Sequence, residues 1–295
     1  MVMRLGICIL PEHPWREAAP LWRRAEELGF DSAWTYDHIT WTGLPSGPWY
    51  GAWPTLTAAA TATSRIRLGT LVSSANFRHP VPFAQEIMSL DDISGGRLTV
   101  GLGAGTASAD ATVLGGEGWS PKERADRFEE STEILDTMLT GAPQDRPRTT
   151  YTGTYYQAVD ARLEPGCPQS PRTPFAIAAS GPRGMRLAAK HARTWVCVDS
   201  AGGRDATRDA QFAAIGALTA KLDEACAQVG RDPGTLERLV LTGFGADRPL
   251  DSVEAFEDSR GRYAELGFTD LVVHQPRAEE PFAAPLPVLE AIAPR

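Results

Sequence analysis

The sequence predicts an α/β protein that forms a (β/α)8 barrel, the TIM-barrel fold. Three observations support this prediction: the chain has 295 residues, eight short apolar runs recur along it, and amphipathic stretches with helical spacing separate the runs. Apolar strands separated by helices pair in parallel, and eight such units close into a barrel. The alternative is an open, doubly wound sheet. That fold usually has fewer strands and a reversal of strand order that the sequence does not show.

Each run and each stretch is assigned to one element. The predicted strands cover residues 5–10, 32–36, 66–72, 98–103, 174–179, 195–199, 239–243 and 270–274. The predicted helices cover residues 16–30, 53–64, 80–94, 123–141, 183–192, 210–230 and 252–268. The first helix is expected to stop at Gly29, since glycine often ends helices.

Residues 142–173 interrupt this alternation between the fourth helix and the fifth strand. The segment is rich in Pro, Thr and Tyr and is longer than most connections in a compact domain. We expect one barrel domain over residues 1–295, with 142–173 as an insertion over its mouth and a hairpin around Gly153. Tyrosines in the insertion, Tyr151, Tyr155 and Tyr156, either hint at a bulky apolar or aromatic substrate or pack the insertion itself.

Composition narrows the possible partners and compartment. The net charge of −8 argues against nucleic acid or an anionic membrane as the main partner. No apolar run approaches the length that crosses a bilayer. The four cysteines are far apart and form no CxxC pair, which is typical of free thiols in a reducing compartment. We therefore expect a cytoplasmic protein.

In a TIM barrel, functional residues follow the carboxyl ends of the strands. Here these positions hold Glu12, His13, Asp37, His38, residues 73–78, 106–110 and 180–183, Asp199, Ser200, Gly245, Asp247 and His274. In a closed barrel, His13, His38 and His274 could converge. Carboxylate partners at ligand spacing are not evident, so no metal site is expected. The GxSxG and GxxxxGK[ST] patterns are both missing from the sequence.

The stretch RLTVGLGAGTASAD, residues 97–110, looks at first like a dinucleotide-binding turn. The GxGxxG pattern fails, because Thr106 or Ser108 stands where its last glycine is needed. We interpret the stretch as the end of the fourth barrel strand, where glycines let the backbone approach a ligand closely.

The SGPR stretch, residues 180–183, joins a predicted strand to a predicted helix. Ser180 suits an N-cap and Pro182 suits a first helical turn, so the helix would present free backbone N–H groups. With Arg183 this forms either a phosphate site or an ordinary capped helix beside an exposed arginine.

Asp37 and His38 follow the second strand among many aromatic residues. A histidine at this position can act as an acid or base near neutral pH, or the pair can simply fasten the loop. The surrounding aromatics either pack the core or form walls for a flat ligand. They are Trp34, Trp41, Trp49, Tyr50 and Trp53.

Several of these stretches together resemble the bacterial luciferase-like family of flavin and deazaflavin oxidoreductases. The resemblance lies in AEELGFDSAWTYDH (25–38), the SRIRLGT…RHP…SGGRL…GLGAG run within 61–105, GTYYQ (153–157) and PFAIAASGPRGMRLAAKHA (174–192). It covers most of the first two thirds of the chain. It implies a (β/α)8 barrel with an insertion after the fourth helix, and a flavin-type ring held in the mouth.

The resemblance also implies site residues. Asp37 and His38 would lie beside the ring, with His38 as the catalytic residue, and Leu71–Val72 would form a cis peptide bond that supports the ring. Ser74 would donate a hydrogen bond. Further cofactor contacts would come from Thr106, Ala107 and the phosphate-side turn of Ser180, Gly181, Pro182 and Arg183.

The family uses either coenzyme F420 or FMN, and the NFRHP stretch at 76–80 resembles the F420-using branch more closely. The resemblance therefore implies an F420-dependent oxidoreductase that transfers a hydride between the deazaflavin and a carbonyl, imine or activated C=C. The alternatives are an FMN-dependent monooxygenase that uses reduced flavin and O2, and a member that binds cofactor without catalysis. A small-molecule substrate, a separate reductase for the cofactor and a homodimer are also implied. Ser108 departs from the acidic residue of the sugar-phosphate dehydrogenase branch, which argues against that substrate class.

Overall fold

Eight parallel strands close into a barrel in the computed structural model of this protein, which describes residues 3–106, 109–141, 148–203 and 206–294. The barrel strands are β1 (Arg4–Cys8), β2 (Ser32–Thr35), β3 (Arg67–Thr70), β5 (Leu98–Gly103), β8 (Phe175–Ala178), β9 (Thr194–Val198), β10 (Glu237–Leu241) and β11 (Asp270–His274). They pair in this order, and β11 returns to pair with β1. Closure confirms the predicted TIM barrel and excludes the open sheet.

A short strand, β4 (Ser73–Ser74), continues the path of β3 and pairs with β5. The polypeptide bends between β3 and β4, so β5 contacts β3 along its first half and β4 along its second half. This bend lies at the carboxyl end of the barrel and forms part of the site described below.

The helices cover the outside of the barrel, and all of them except α8 correspond to predicted helices. They are α1 (Trp15–Glu27), α2 (Ala52–Ala62), α3 (Pro80–Ile93), α4 (Pro121–Leu139), α5 (Pro182–His191), α6 (Arg208–Gln228), α7 (Val253–Glu265) and α8 (Leu286–Ile292). Helix α1 ends as expected, since Gly29 has a φ of 82°, a conformation that glycine adopts without strain.

The core has two layers. Large side chains such as Trp22, Ile87 and Trp195 are buried between the strands and the helices. A second cluster, which includes Trp34 and Leu71, fills the interior of the barrel. The interior is therefore packed, and ligand access is confined to its ends.

The segment between α4 and β8 contains the predicted hairpin, formed by β6 (Thr149–Thr152) and β7 (Gln157–Ala161) with Gly153 in the turn. The Glu130 carboxylate in α4 accepts hydrogen bonds from the backbone N–H groups of residues 154–156. Tyr155 packs against Arg127, and Tyr156 packs edge-on against His79. The tyrosines thus pack the insertion, which is the second of the two interpretations above.

Residues 142–147 of the predicted insertion lie outside the described residues. Residues 148–173 contact the outside of the barrel, and none of them lines the mouth cavity described below. The extension of this segment over the mouth stays a prediction. No helix among the described residues is long and apolar enough to cross a membrane.

Candidate active site

A cavity of about 900 Å³ opens at the carboxyl ends of the strands. Its wall includes nine residues that the sequence predicts for the site: His38, Leu71, Val72, Ser74, Thr106, Ser180, Gly181, Pro182 and Arg183. Ala107 and Ser108 lie outside the described residues. Strand ends that are distant in sequence therefore do converge on one cavity, as a closed barrel requires.

The bend between β3 and β4 forms one wall. The Leu71–Val72 peptide bond is cis, as the resemblance implies, and both residues line the cavity. Neighbouring β5 makes room for the bend through its glycines: a Cβ on Gly101 would lie 1.7 Å from the Thr70 carbonyl oxygen, and one on Gly103 would lie 2.6 Å from Val72 Cγ2.

The glycines of residues 97–110 also make room for neighbouring parts of the protein, while their approach to a ligand stays a prediction. Gly101 and Gly103 admit the adjacent strand, and Gly105, at a φ of 68°, lies against the Asn76 side chain. A side chain at these positions would collide with the segment 70–76 of the same chain. Gly103 and Gly105 also line the cavity.

Asp37 does not lie on the cavity wall. Its carboxylate is 2% exposed and accepts two 2.8 Å hydrogen bonds from Arg78, one of 3.1 Å from Trp53 Nε1 and one from the Ser73 hydroxyl. These contacts link the loop after β2 to α2, to β4 and to the segment that follows β4. Asp37 therefore holds these segments together behind the cavity. A direct contact of Asp37 with cofactor stays a prediction.

His38 faces the cavity and is held by Asp110, which the sequence places among the strand-end candidates at 106–110 but does not pair with His38. Its Nδ1 is hydrogen-bonded to Asp110 Oδ2, and the other Asp110 oxygen accepts backbone N–H bonds from Ile39 (2.8 Å) and Thr40 (2.9 Å). Burial opposes ionisation of Asp110, but the hydrogen bond from His38 and those from the two backbone N–H groups outweigh it and lower the pKa of Asp110. Asp110 is therefore a carboxylate at neutral pH, and His38 presents Nε2 as its remaining ring nitrogen.

A second hydrogen-bonded pair lies beside the cavity, whose wall includes Tyr36 but not His274. Tyr36 Oη lies 2.6 Å from His274 Nε2, and the His274 ring stacks on Phe282 at 3.5 Å between centroids. Burial lowers the pKa of His274 to about 3 and raises the pKa of Tyr36. His274 is therefore neutral, and the Tyr36 hydroxyl donates to it.

The histidines do not assemble a metal site. His38 and His274 bond different partners, and the described part of the chain contains no group of three or more His, Cys, Asp or Glu residues that could hold an ion.

The start of α5 forms another part of the cavity wall. Gly181, not Ser180, is its N-cap, and no side chain caps the helix. The predicted cap was wrong, because α5 begins at Pro182, one residue later than a cap at Ser180 requires. The first turn therefore presents backbone N–H groups without intrahelical partners. Arg183 is already paired with Asp126 (2.6 Å) and Glu129 (2.5 Å), so the backbone amides are the available anion-binding feature.

One buried polar atom on the wall lacks a protein partner. Asn76 Nδ2 donates to the Thr106 carbonyl oxygen at 3.4 Å, whereas Asn76 Oδ1 has no hydrogen-bond partner. Unpaired buried acceptors are uncommon in native proteins, so this oxygen fits a ligand that carries an N–H or O–H group. A flavin-type ring system with a phosphate-bearing tail suits a cavity that combines this acceptor with the open end of α5.

The chain is similar to proteins of one known family. The sequence profile of the family described as luciferase-like monooxygenase matches residues 3–255. The chain belongs to this family. Among relatives of this luciferase-like protein, one from Beutenbergia cavernae is named F420-dependent glucose-6-phosphate dehydrogenase. It is 31% identical over 301 residues, which cover 87% of this chain and 86% of the relative. A relative from Methanopyrus kandleri is named 5,10-methylenetetrahydromethanopterin reductase and is 29% identical over 261 residues, 85% of this chain and 68% of the relative.

Solved structures show the same fold. An F420-dependent secondary alcohol dehydrogenase, in complex with an F420-acetone adduct, superposes with a TM-score of 0.79 at 19% identity and covers 93% of each chain. The coenzyme F420 dependent tetrahydromethanopterin reductase from Methanopyrus kandleri gives a TM-score of 0.70 at 21% identity and covers 94% of each chain.

Proposed function

We propose that this luciferase-like protein is an F420-dependent oxidoreductase that exchanges a hydride between the deazaflavin and a carbonyl, imine or activated C=C of a small organic substrate. The observation that carries the proposal is one cavity whose wall is shared by His38, the β3–β4 bend and the start of α5. The Asp110 carboxylate orients His38 in this cavity. The name of the Beutenbergia cavernae relative, an F420-dependent enzyme, supports F420 over FMN.

The wall residues divide between the two ends of the cofactor. Leu71, Val72 and Ser74 on the bend, with Thr106 beside them, would hold the ring, and Asn76 Oδ1 would accept a hydrogen bond from it. Backbone amides at the start of α5, in the turn 180–183, would bind the phosphate, and Ala107 and Asp37 stay predicted contacts. When bound, F420 supplies or accepts the hydride.

His38 is proposed to transfer the accompanying proton. When a carbonyl is reduced, its carbon gains a hydride and its oxygen gains a proton, and His38 Nε2 would donate that proton. Asp110 fixes the ring orientation through Nδ1, since a histidine that donates from one nitrogen presents the other. Asp110 is thus a positioning residue.

Cofactor titration tests the proposal. The purified protein is titrated separately with F420 and with FMN while quenching of cofactor fluorescence is recorded. We expect saturable, stoichiometric binding of F420 and at least about tenfold weaker binding of FMN. Tight FMN binding without an F420 response would overturn the proposal in favour of the FMN-dependent monooxygenase. Tight F420 binding with turnover unchanged in His38→Ala would overturn the role of His38.

The remaining expectations about the cellular context rest on the family resemblance. A homodimer, a separate reductase for the cofactor and a cytoplasmic location stay predictions.

A further inference from the structure

Two aromatic side chains form one side of the cavity next to His38. We call Trp41 and Phe244, both on the wall, the aromatic wall. Phe282 lies behind both of them, stacked on Trp41 at 5.9 Å and edge-on to Phe244 at 5.3 Å between ring centroids. Trp49 packs on Trp41 at 5.6 Å and lies 6.3 Å from the His38 ring. The aromatic wall is therefore continuous with the rings that surround His38.

The backbone below Phe244 is fixed from the neighbouring strand. Asp199, at the end of β9, accepts hydrogen bonds from the N–H groups of Gly243 (2.8 Å) and Phe244 (2.9 Å). The Asp199 side chain is fully buried. The Phe244 residue is 38% exposed although its backbone is fixed. A ligand placed against this ring would remove that apolar surface from water.

The cavity offers little positive charge on this side. Among the described wall residues Arg183 is the only Arg or Lys, and it is paired with Asp126 and Glu129 at the α5 end. Arg277, which follows β11, makes two hydrogen bonds to Glu12 (2.8 and 3.0 Å) and further ones to two backbone carbonyls. Arg78 is paired with Asp37 and Glu86.

These observations together point to the charge and shape of the substrate. An anionic group buried near His38 would lose hydration, the one Arg on the described wall is already paired, and the Asp110 carboxylate already balances the charge of a protonated His38. A ring placed on Trp41 or Phe244 would gain burial and stacking contacts. We propose that the substrate is an uncharged, ring-bearing alcohol, ketone or imine that packs against the aromatic wall, and that sugar phosphates are not substrates. This inference rests on the proposed function, because it assigns the half of the cavity beside His38 to the substrate.

Binding measurements with a matched pair of ligands test it. Acetophenone and 4-acetylbenzoate share a ring and a ketone and differ by one carboxylate, and glucose 6-phosphate represents the sugar phosphates. Binding is measured by calorimetry and ligand-observed NMR, both with the protein alone and with the protein loaded with oxidised F420, so that a ketone is not turned over. We expect acetophenone to bind at least about tenfold more tightly than either anion.

Substitutions locate the binding surface. Trp41→Ala and Phe244→Ala should each weaken acetophenone binding about tenfold, while Trp41→Phe should keep most of it. Trp15→Ala is the control, because Trp15 is 37% exposed at the start of α1 and does not line the cavity. Circular dichroism and thermal melting confirm that each variant is folded.

The outcomes separate the two proposals. Binding of glucose 6-phosphate or 4-acetylbenzoate as tight as that of acetophenone would overturn the inference, as would unchanged acetophenone binding in folded Trp41→Ala and Phe244→Ala. Failure of F420 to bind would overturn the proposed function, whereas ring binding to the protein alone, if sensitive to Trp41→Ala, would still support the aromatic wall as a ligand surface.

Discussion

The pairing of His38 with Asp110 is the residue-scale feature on which the proposed chemistry depends. His38 could be predicted, because a histidine after a barrel strand is a typical acid or base and the family resemblance covers it. Asp110 could not be predicted as its partner. The contact joins residues 72 positions apart and depends on the short helical turn Ala109–Ala111 lying beside the residues that follow β2.

Asp110→Asn should lower turnover while leaving F420 binding nearly unchanged. The loss should appear in kcat, because the carboxylate orients the His38 ring and does not hold the cofactor. Steady-state rates and fluorescence titration with F420 measure both effects, with Asp251→Asn as an exposed control. Unchanged kcat in Asp110→Asn would show that Asp110 does not act through His38.

His38→Ala should lose about 100-fold or more in kcat.

Arg78 is a second residue whose removal has a predictable cost. It forms a bidentate pair with the buried Asp37 carboxylate, and Trp53 and Ser73 hydrogen-bond to the same carboxylate. Arg78→Ala would leave a buried carboxylate without its cation, so we expect the free energy of unfolding to fall by about 3 kcal/mol. Urea denaturation measures this. Arg16→Ala, on an exposed side chain in α1, serves as the control and should change stability by less than about 0.5 kcal/mol.

At the scale of elements, the strands and most helices were predictable because their apolar periodicity is local. The N-cap of α5 was not, since Ser180 and Gly181 are both acceptable caps and only the path of β8 decides between them. The cis peptide bond between Leu71 and Val72, which lies in the bend between β3 and β4, was predictable only from the family resemblance. The role of the β5 glycines in admitting that bend depends on strand pairing, which the sequence does not display.

A glycine pair tests the close approach of β5 to β3. A Cβ at Gly101 would meet the Thr70 carbonyl oxygen at 1.7 Å, whereas a Cβ at Gly116 meets nothing within 4 Å. Gly101→Ala should destabilise the protein by about 3 kcal/mol or more, because backbone must move to relieve the clash. Gly116→Ala should be close to neutral. Equal thermal midpoints for the two variants would contradict the described packing.

Glu26 joins helix α1 to the turn that precedes β3. Burial opposes its ionisation, but hydrogen bonds from Ile66, Arg65 and Ser64 outweigh burial and lower the pKa of Glu26 from 4.5 to about 2. A folded-state pKa below the unfolded one gives stability that is present above about pH 4.5 and lost as the pH falls towards 2. Glu26→Gln should therefore cost about 1–2 kcal/mol at pH 7, and this difference should shrink below pH 4.5. Urea melts at pH 7 and pH 3 provide the comparison, and a constant difference would contradict it.

At the scale of the whole molecule, barrel closure brings together residues that lie far apart in the sequence. Strand β1 pairs with β11, and the mouth collects side chains from positions 36 to 244. Eight alternating units allowed the fold and the side of the barrel that carries the site to be predicted. The chemistry of the aromatic wall was not predictable, since Trp41 and Phe244 become neighbours of the same Phe282 ring only after closure.

The central claim is that F420 binds in this mouth, with its ring against the β3–β4 bend. A crystal structure of the protein with F420 tests it most directly. We predict density for the deazaflavin ring beside Leu71 and Val72, His38 Nε2 facing the ring edge, and a phosphate oxygen on the backbone amides at the start of α5. Density for the cofactor at any other surface, or a mouth that stays empty in crystals grown with saturating F420, would contradict the claim.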